Sequence, residues 1–564
     1  MTVKKNNLSI IGRIVLIAIL LILPQLVMKS MVIGSDSMFH FNRFWDTASQ
    51  MKNGNFQYFI QMYGFQQTGR IVNALYGPFM AYFHGLLVLI SPSWFIYQLL
   101  SNFILYVIAG LSMYGLLIAS SIKKDIAFYT SVFFMTTFSI TYWITRQGFT
   151  SWGAALLPIC LLPIIQFEKN NKFNAFQVGF LVALMTQVHM FTALLLVIIY
   201  FIYFLNLFFR NNTNKLRLLV SLCYSISFFL LLTLNIWYSF LKIYKENNIV
   251  PPFINKTMYL NTITSNSSYW LTTPFPLVLL IGLKLYYDIK SWKNYGSFDK
   301  VTSLLTLFFL LLTTNIVPWK FLSTNHLLGV NFIQFPFRFF VPFTVLLLFS
   351  TAKNLNHHST FSKKKKWFRL LLSFSLIQTI GLIIFASLQW NSNEPIKPSL
   401  HQFLYTDDSS VLKQSFYSKD KLLSLELVQK STPDYLPTYH EDQSNKYELY
   451  EEYILAETNQ FDKKIENHSL VVTWEGDSLE ERNIPVVVYR DTVITHNGEQ
   501  LTGKDIQLSG IGTPKLVDKE GENTLKVTYK ESRIFSILLA TTVLTWLISI
   551  SMILFKFIGR IRKV

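Results

Sequence analysis

The sequence predicts an α-helical polytopic membrane protein with about 12 transmembrane helices and an extracytoplasmic α+β domain that contains a small β-sandwich. Three observations carry that expectation. Hydrophobic residues make up 51% of the 564 and aromatics 16%, and apolar runs near the ~20 residues needed to cross a bilayer recur through the first 390 positions. Acidic residues are segregated: 391–533 hold 25 Asp/Glu against 16 Lys/Arg, a balance of −9, while the rest of the chain holds 7 acids and 34 bases, or +27. Outside that block the bases gather in short loops between apolar runs, as cytoplasmic loops do, so the net charge of +18 reports topology and not nucleic-acid binding.

Taken in order, 1–13 is short and basic, and the apolar run 14–33 lacks a small-residue cleavage site, so it reads as an uncleaved first span starting in the cytoplasm. The stretch 34–70 is then outside. The run 71–90 is broken by Asn73, Gly77, Pro78 and His84; counting it as a crossing would put Lys123-Lys124, at the end of the span 95–118, outside and invert every later basic loop. It is expected at the outer interface, juxtamembrane or re-entrant. Further spans are expected near 127–144, 153–167, 174–189, 190–209, 216–239, 274–289, 301–318, 337–353 and 367–389, with 174–209 a short, steep pair. They place 168–172, 210–217, 284–300 and 353–366 in the cytoplasm, and Lys363-Lys366 reads as a cytoplasmic anchor. A last span, 534–557, ends in the basic tail Gly559-Arg560-Ile561-Arg562-Lys563-Val564, so both termini are expected inside a cell membrane.

Three domains follow: 1–390 in the membrane with its outer loop 34–94, 391–533 outside, and 534–564 as final helix and tail. Within the outer block, 400–457 mixes helix-like stretches with loops, and strands are expected from about 468, at 470–474, 484–490 and 524–529, with Asn497-Gly498 as a turn. Cys160 and Cys223 both lie in apolar segments, which leaves the outer block without a disulfide.

This topology sorts the acids. Asp125, Glu168, Asp288 and Asp299 fall inside, leaving Asp36, Asp46 and Glu246 as the outer carboxylates of the membrane portion. Acid-base chemistry at the outer face would draw on one of these three. Asp36 is favoured because it follows a span directly, with His40 and Arg43 near enough in sequence to tune it; the competing reading is an ordinary Ser-Asp-Ser turn. Asp46, three turns along a helical stretch, is expected to face solvent, and Glu246 to sit in a looser loop. The cations on that side are Arg146, Lys320 and Arg338, the last embedded in Ile333-Gln334-Phe335-Pro336-Phe337-Arg338-Phe339-Phe340. A guanidinium near the membrane boundary suits a lipid phosphate, since its planar fork meets two phosphate oxygens; the alternative is snorkelling to headgroups or pairing with a helix end. His189, at the outer junction of two short spans, reads first as a packed or backbone-bonded histidine and second as support for a site.

Gly34-Ser35-Asp36-Ser37-Met38-Phe39-His40-Phe41-Asn42-Arg43 after a hydrophobic span resembles the start of a bacterial membrane family labelled 6-pyruvoyl-tetrahydropterin-synthase-related, whose architecture is that of GT-C-type glycosyltransferases. Arg146-Gln147-Gly148-Phe149, Gln334-Phe335-Pro336-Phe337-Arg338 and Asp434-Tyr435-Leu436-Pro437 are similar to further stretches of that family, in the same order, over about 10–557. The label does not imply pterin chemistry, since the metal-binding histidine cluster for it is missing from the sequence. What the resemblance implies is transfer of a sugar from a polyprenyl-phosphate donor to a cell-envelope acceptor, teichoic acid or surface polysaccharide, at the outer face of the membrane. It maps the active-site acidic residue of the first outer loop onto Asp36, and the reading of the residues adds His40, Arg43, Arg146, His189, Lys320, Gln334 and Arg338 as substrate-binding candidates. Two departures stand out: the acid nearest Asp36 is Asp46, ten residues on, so no metal or other cofactor is assigned, and Phe337 stands where Trp is expected.

Two other classes compete. A polyprenyl-linked carbohydrate flippase would want polar residues at span midpoints and broken helices in inverted repeats, whereas here the candidate groups concentrate at one membrane face. A non-enzymatic cell-wall assembly subunit would need only the outer domain. Donor sugar, acceptor and oligomeric state are not readable from the sequence.

Overall fold

A computed structural model describes residues 2–562 apart from 211–213, 250–252, 254, 326, 358–359, 397–400, 440–444, 478 and 503–505. Helices dominate as far as Trp390, and among the described residues the strands lie after it. Among the described residues seven helices are long and apolar enough to cross a bilayer: Leu8–Val27, Trp94–Ala119, Thr150–Asn170, Met190–Phe208, Pro336–His357, Lys365–Trp390 and Arg533–Lys556. An eighth arises if Lys215–Leu231 and Leu234–Glu246, bent by 67°, count as one.

The gap between this number and the expected twelve has a physical basis in length and breaks. Ala175–Val188 has 14 residues, and Pro276–Ser291 and Ser297–Leu312 have 16 each. At 1.5 Å per residue these reach only about 21 to 24 Å, short of the roughly 30 Å hydrocarbon layer. The run expected as a span at 127–144 is two helices, Lys124–Met135 and Phe138–Arg146. They part at Thr136 and Thr137, whose hydroxyls bond back to the Phe133 and Phe134 carbonyls. The first helix ends at Val27 rather than near 33, and Lys29 follows in the left-handed region (φ 45°). The 71–90 run yields only Pro78–Ile90, a 13-residue helix.

The chain forms two compact units. The first comprises Met1–Asp36, Phe95–Phe228 and Phe253–Ile396. Its central element is the Phe340–His357 helix, which packs on Ser297–Leu312, Lys124–Met135, Thr150–Cys160 and Pro276–Ser291. Buried on nearly all sides, it is apolar nearly all round, as such a position requires.

The second unit comprises Ser37–Trp94, Phe229–Pro252 and Lys397–Val564, so residues 37–94 and the final helix group with the C-terminal region. Its main sheet is antiparallel, in the order Asp462–Glu466, Ser469–Gly476, Gly521–Tyr529, Thr492–His496, Glu499–Leu501. Leu525 faces Val472 on one side and His496 on the other, and Val527 faces Leu470 and Ile494. The alternating inward residues of this register build the core. Asn497-Gly498 makes the tight turn between the last two strands, both residues at positive φ (50° and 88°).

Of the three expected strands, 470–474 and 524–529 lie within strands, but 484–490 does not. Its amides go instead to the Pro514, Gly512 and Thr68 carbonyls, and Ile484, Val486, Val487 and Val488 are buried as an apolar cord. A second sheet pairs Glu481–Asn483, Pro514–Val517 and Gln507–Leu508. The core also takes in Phe59, Ile60, Met62 and Ile71, residues from a stretch whose composition reads as loop. Those side chains complete the hydrophobic interior of the C-terminal region.

Candidate functional site

In the first unit the Phe138–Arg146 helix carries Arg146 at its end, seats the segment leading to Asp36, and shares a recess with Arg338. The entering strand of chain is fixed by Gln98, whose Oε1 accepts from the Val32 amide (2.9 Å) and whose Nε2 donates to the Val32 carbonyl (2.8 Å). Two residues on, Gly34 lies so close to Arg146 that a Cβ there would collide with the Arg146 backbone, and its amide points at Gln147 Oε1 (3.4 Å). Glycine is therefore required by close approach. Gln147 caps the helix in the left-handed region (φ 53°), and Gly148 lies under the Tyr142 ring, where any side chain would clash. Arg146-Gln147-Gly148 is thus a helix stop that doubles as the seat of the Gly34 segment.

Asp36 occupies a turn just past that seat, half-buried. The Tyr142 hydroxyl lies within electrostatic reach of Asp36, Arg338, Arg146 and Tyr269. Arg146 is exposed, its guanidinium over the Tyr269 ring (5.6 Å). Arg338 is half-buried: Nη1 donates to the Ile333 carbonyl (3.2 Å), and the guanidinium lies over the Phe191 and Phe335 rings (5.6 and 5.3 Å). Arg338, Tyr142, Phe138, Ser139, Thr150 and Phe337 line one small recess.

Gln334 and His189 support this group. Gln334 sits at positive φ (57°), donating through Nε2 to the Phe253 carbonyl (2.9 Å) while its own carbonyl accepts from Asn255 Nδ2 (2.8 Å). It fixes the loop that carries Arg338. His189 caps the Met190–Phe208 helix: its Nδ1 accepts from the Thr192 amide (3.2 Å), which leaves the ring proton on Nε2. The backbone-bonded role is thus what the ring performs, within electrostatic reach of Arg338. Lys320 is exposed on the Trp319–Thr324 helix, over the Tyr259 ring (5.7 Å).

His40, Arg43 and Asp46 belong to the second unit, on the Ser37–Asn53 helix, and all three are buried. Arg43 donates from Nε to Asn73 Oδ1 (3.0 Å) and from Nη2 to the Tyr76 carbonyl (2.9 Å), and it stacks on the Tyr76 ring (4.4 Å). Its Nη1 lies 3.3 Å from His40 Nδ1. Because arginine only donates, His40 accepts there and carries its proton on Nε2. These bonds tie the helix to the 73–77 segment.

Asp46 corrects the expectation of a solvent-facing side chain: it is fully buried. Oδ1 accepts from the Tyr63 and Gly64 amides (2.9 and 3.3 Å) and Oδ2 from Gln50 Nε2 (2.7 Å). Burial pushes its pKa up to about 6 in spite of these bonds. Glu246 also departs from expectation. It ends the Leu234–Glu246 helix and lies 3.9 Å from Lys242, which is paired with Asp491 at 2.6 Å.

Tyr142 is the participant that sequence reading passed over. The available signal was its place one helical turn before Arg146, with Gly148 just beyond. Among the described residues no group of three or more His, Cys, Asp or Glu forms a metal-binding set. Comparison with protein-family models finds no match to this chain, and neither does comparison with curated protein sequences.

Proposed function

We propose that this chain is a membrane glycosyltransferase of GT-C type. It moves a sugar from a polyprenyl-phosphate donor to a cell-envelope acceptor, teichoic acid or a surface polysaccharide, at the outer membrane face. The carrying observation is the close seat of Gly34 on Arg146, which sets the Asp36 turn there, in the same unit as the recess that Tyr142 and Arg338 line. Asp46 and Glu246 have their carboxylates engaged elsewhere, in a loop staple and beside an ion pair.

In this reading Asp36 accepts the proton of the acceptor hydroxyl as that oxygen bonds to the anomeric carbon. The donor's carbon–oxygen bond breaks, and the polyprenyl phosphate leaves with the bonding pair. Arg338 and Arg146 offset the charge that develops on the phosphate. Gln334 and His189 hold the loop and helix end that position Arg338, and His40 and Arg43 hold the helix that continues from Asp36.

The test is sugar transfer by purified protein from a polyprenyl-phosphate sugar. Asp36→Asn keeps shape and loses the proton acceptor, so turnover should fall roughly 10²- to 10⁴-fold with normal expression, whereas Glu246→Gln should change it little. Near-normal turnover in Asp36→Asn would remove the site. Movement of the lipid-linked sugar across vesicles without transfer would favour a flippase instead.

A further inference from the structure

Away from the Arg338 recess, the first unit contains a second crevice between the Lys124–Met135, Pro276–Ser291, Phe340–His357 and Thr360–Trp390 helices. Tyr129, Phe133, Leu348, Thr351, Leu355 and Leu371 are among its walls, and the lining is almost wholly hydrocarbon. We infer that it holds one chain of an anionic phospholipid from the cytoplasmic leaflet.

Three observations carry this. The first is Thr351, which lines the crevice, is only 3% exposed, and has no hydrogen-bond partner for Oγ1. On the same helix, Thr344 and Ser350 bond back to the Phe340 and Leu346 carbonyls. A buried hydroxyl left unmatched is costly, and rotation of the Thr351 side chain toward the crevice would offer it to an ester carbonyl at the glycerol level of a lipid.

The second is the mouth. The Tyr129 hydroxyl accepts from Arg369 Nε (2.9 Å), which places a guanidinium against a wall residue. One turn earlier Lys365 pairs with Asp125 (2.6 Å). Across 123–125 and 365–369 there are five cations, Lys123, Lys124, Lys365, Lys366 and Arg369, against the single anion Asp125. Such a rim favours a headgroup of net negative charge over a zwitterionic one, whose own cation it repels.

The third is position. The Arg338 recess takes in Phe340 and Val341 at the start of the central helix, and this crevice takes in Thr351 and Leu355 near its end. Fifteen residues separate Phe340 from Leu355, about 22 Å of helix rise, so the two sites lie toward opposite ends of that helix. The crevice adjoins the lysine-rich loops that the charge distribution assigns to the cytoplasm. Its occupant is therefore a resident of that leaflet and independent of sugar transfer.

The experiment uses full-length protein purified in detergent and titrated with phosphatidylglycerol or phosphatidylcholine, with retention read by native mass spectrometry. One phosphatidylglycerol should be retained well above phosphatidylcholine. Arg369→Gln, at an exposed position, should weaken phosphatidylglycerol about tenfold and leave phosphatidylcholine unchanged, and Thr351→Val should weaken it several-fold. Ala352→Phe should abolish retention by filling the space; if that variant does not accumulate, the other two decide. Equal retention of both lipids, indifferent to Arg369 and Thr351, would overturn the inference. So would displacement of phosphatidylglycerol by tighter, Arg369-dependent binding of polyprenyl phosphate, which would give the crevice to the donor lipid.

Discussion

Arg338 can be tested without removing its charge. If its planar fork holds the donor phosphate, Arg338→Lys should already be harmful, since an ammonium cannot make the paired contact. The loss of a charge-assisted hydrogen bond, about 1.5 to 3 kcal/mol, corresponds to one to two orders of magnitude in donor affinity. It should appear as a raised donor KM when the contact is equal in ground and transition states, or as a lowered kcat when the phosphate is gripped chiefly as it leaves. Steady-state kinetics with both parameters unchanged would make Arg338 an interfacial anchor. Asp46 offers a second test at this scale. Its folded pKa, about 6, stands above the usual 3.8, so between those values the folded chain binds more protons than the unfolded one. Stability from this group is therefore full below about pH 4, declines as pH rises toward 6, and is level above it. The two-unit shift corresponds to about 3 kcal/mol. Melting points of the purified protein from pH 4 to 7 should fall less in Asp46→Asn than in wild type; parallel profiles would refute the assignment. What singles Asp36 out in the sequence is its place after a span, a rule about desolvation. What hid the burial of Asp46 was that its partners, the Tyr63 and Gly64 amides, are backbone groups that no composition reveals.

Elements were legible where one period dominated. The strands Ser469–Gly476 and Gly521–Tyr529 alternate in burial and were readable; 484–490 has the same β-branched composition but is buried as a cord, paired irregularly. The turn Phe65-Gln66-Gln67 was not readable at all. All three residues are left-handed (φ 52°, 57° and 53°) with no glycine or asparagine among them, a conformation that costs roughly 1–2 kcal/mol per residue. Neighbours hold it: Asn42 Oδ1 accepts from the Phe65 amide (2.7 Å), and half-buried Lys463 donates to the Gln66 carbonyl (2.7 Å) and the Pro485 carbonyl (2.9 Å). Burial also pushes the Lys463 pKa down to about 7. Lys463→Met should therefore leave two carbonyls unpaired and destabilise the second unit by about 1–3 kcal/mol. Hydrogen exchange should quicken at the Gln67 and Thr68 amides before it does in the main sheet; unaltered exchange there would show that the turn stands without Lys463.

At the scale of the molecule, hydropathy located the apolar segments, but it could not decide which of them cross. The eight long or bent candidates and the expected twelve differ by the short or broken segments near 127–144, 174–189, 274–289 and 301–318. Charge is the stronger guide for the last pair. Lys284, buried within Pro276–Ser291, is satisfied by Asp288 and by Ser303 Oγ on the partner helix, so the pair carries its ions into the interior already matched. A matched pair of about 24 Å helices can span by local thinning of the bilayer, at a cost of fractions of a kcal/mol per Å. Because both helices cross in this account, the connection Trp292–Asn294 between them faces the cytoplasm. In a variant lacking Cys160 and Cys223, Asn294→Cys should react with a membrane-impermeant thiol reagent only after the cells are opened, and a cysteine at 364 should behave alike. Labelling of position 294 from outside intact cells, with 364 protected, would turn the two helices into a re-entrant pair and reduce the crossings by two without moving either terminus. Labelling of both from outside would invert the chain and take Asp36 and Arg338 away from the outer face together.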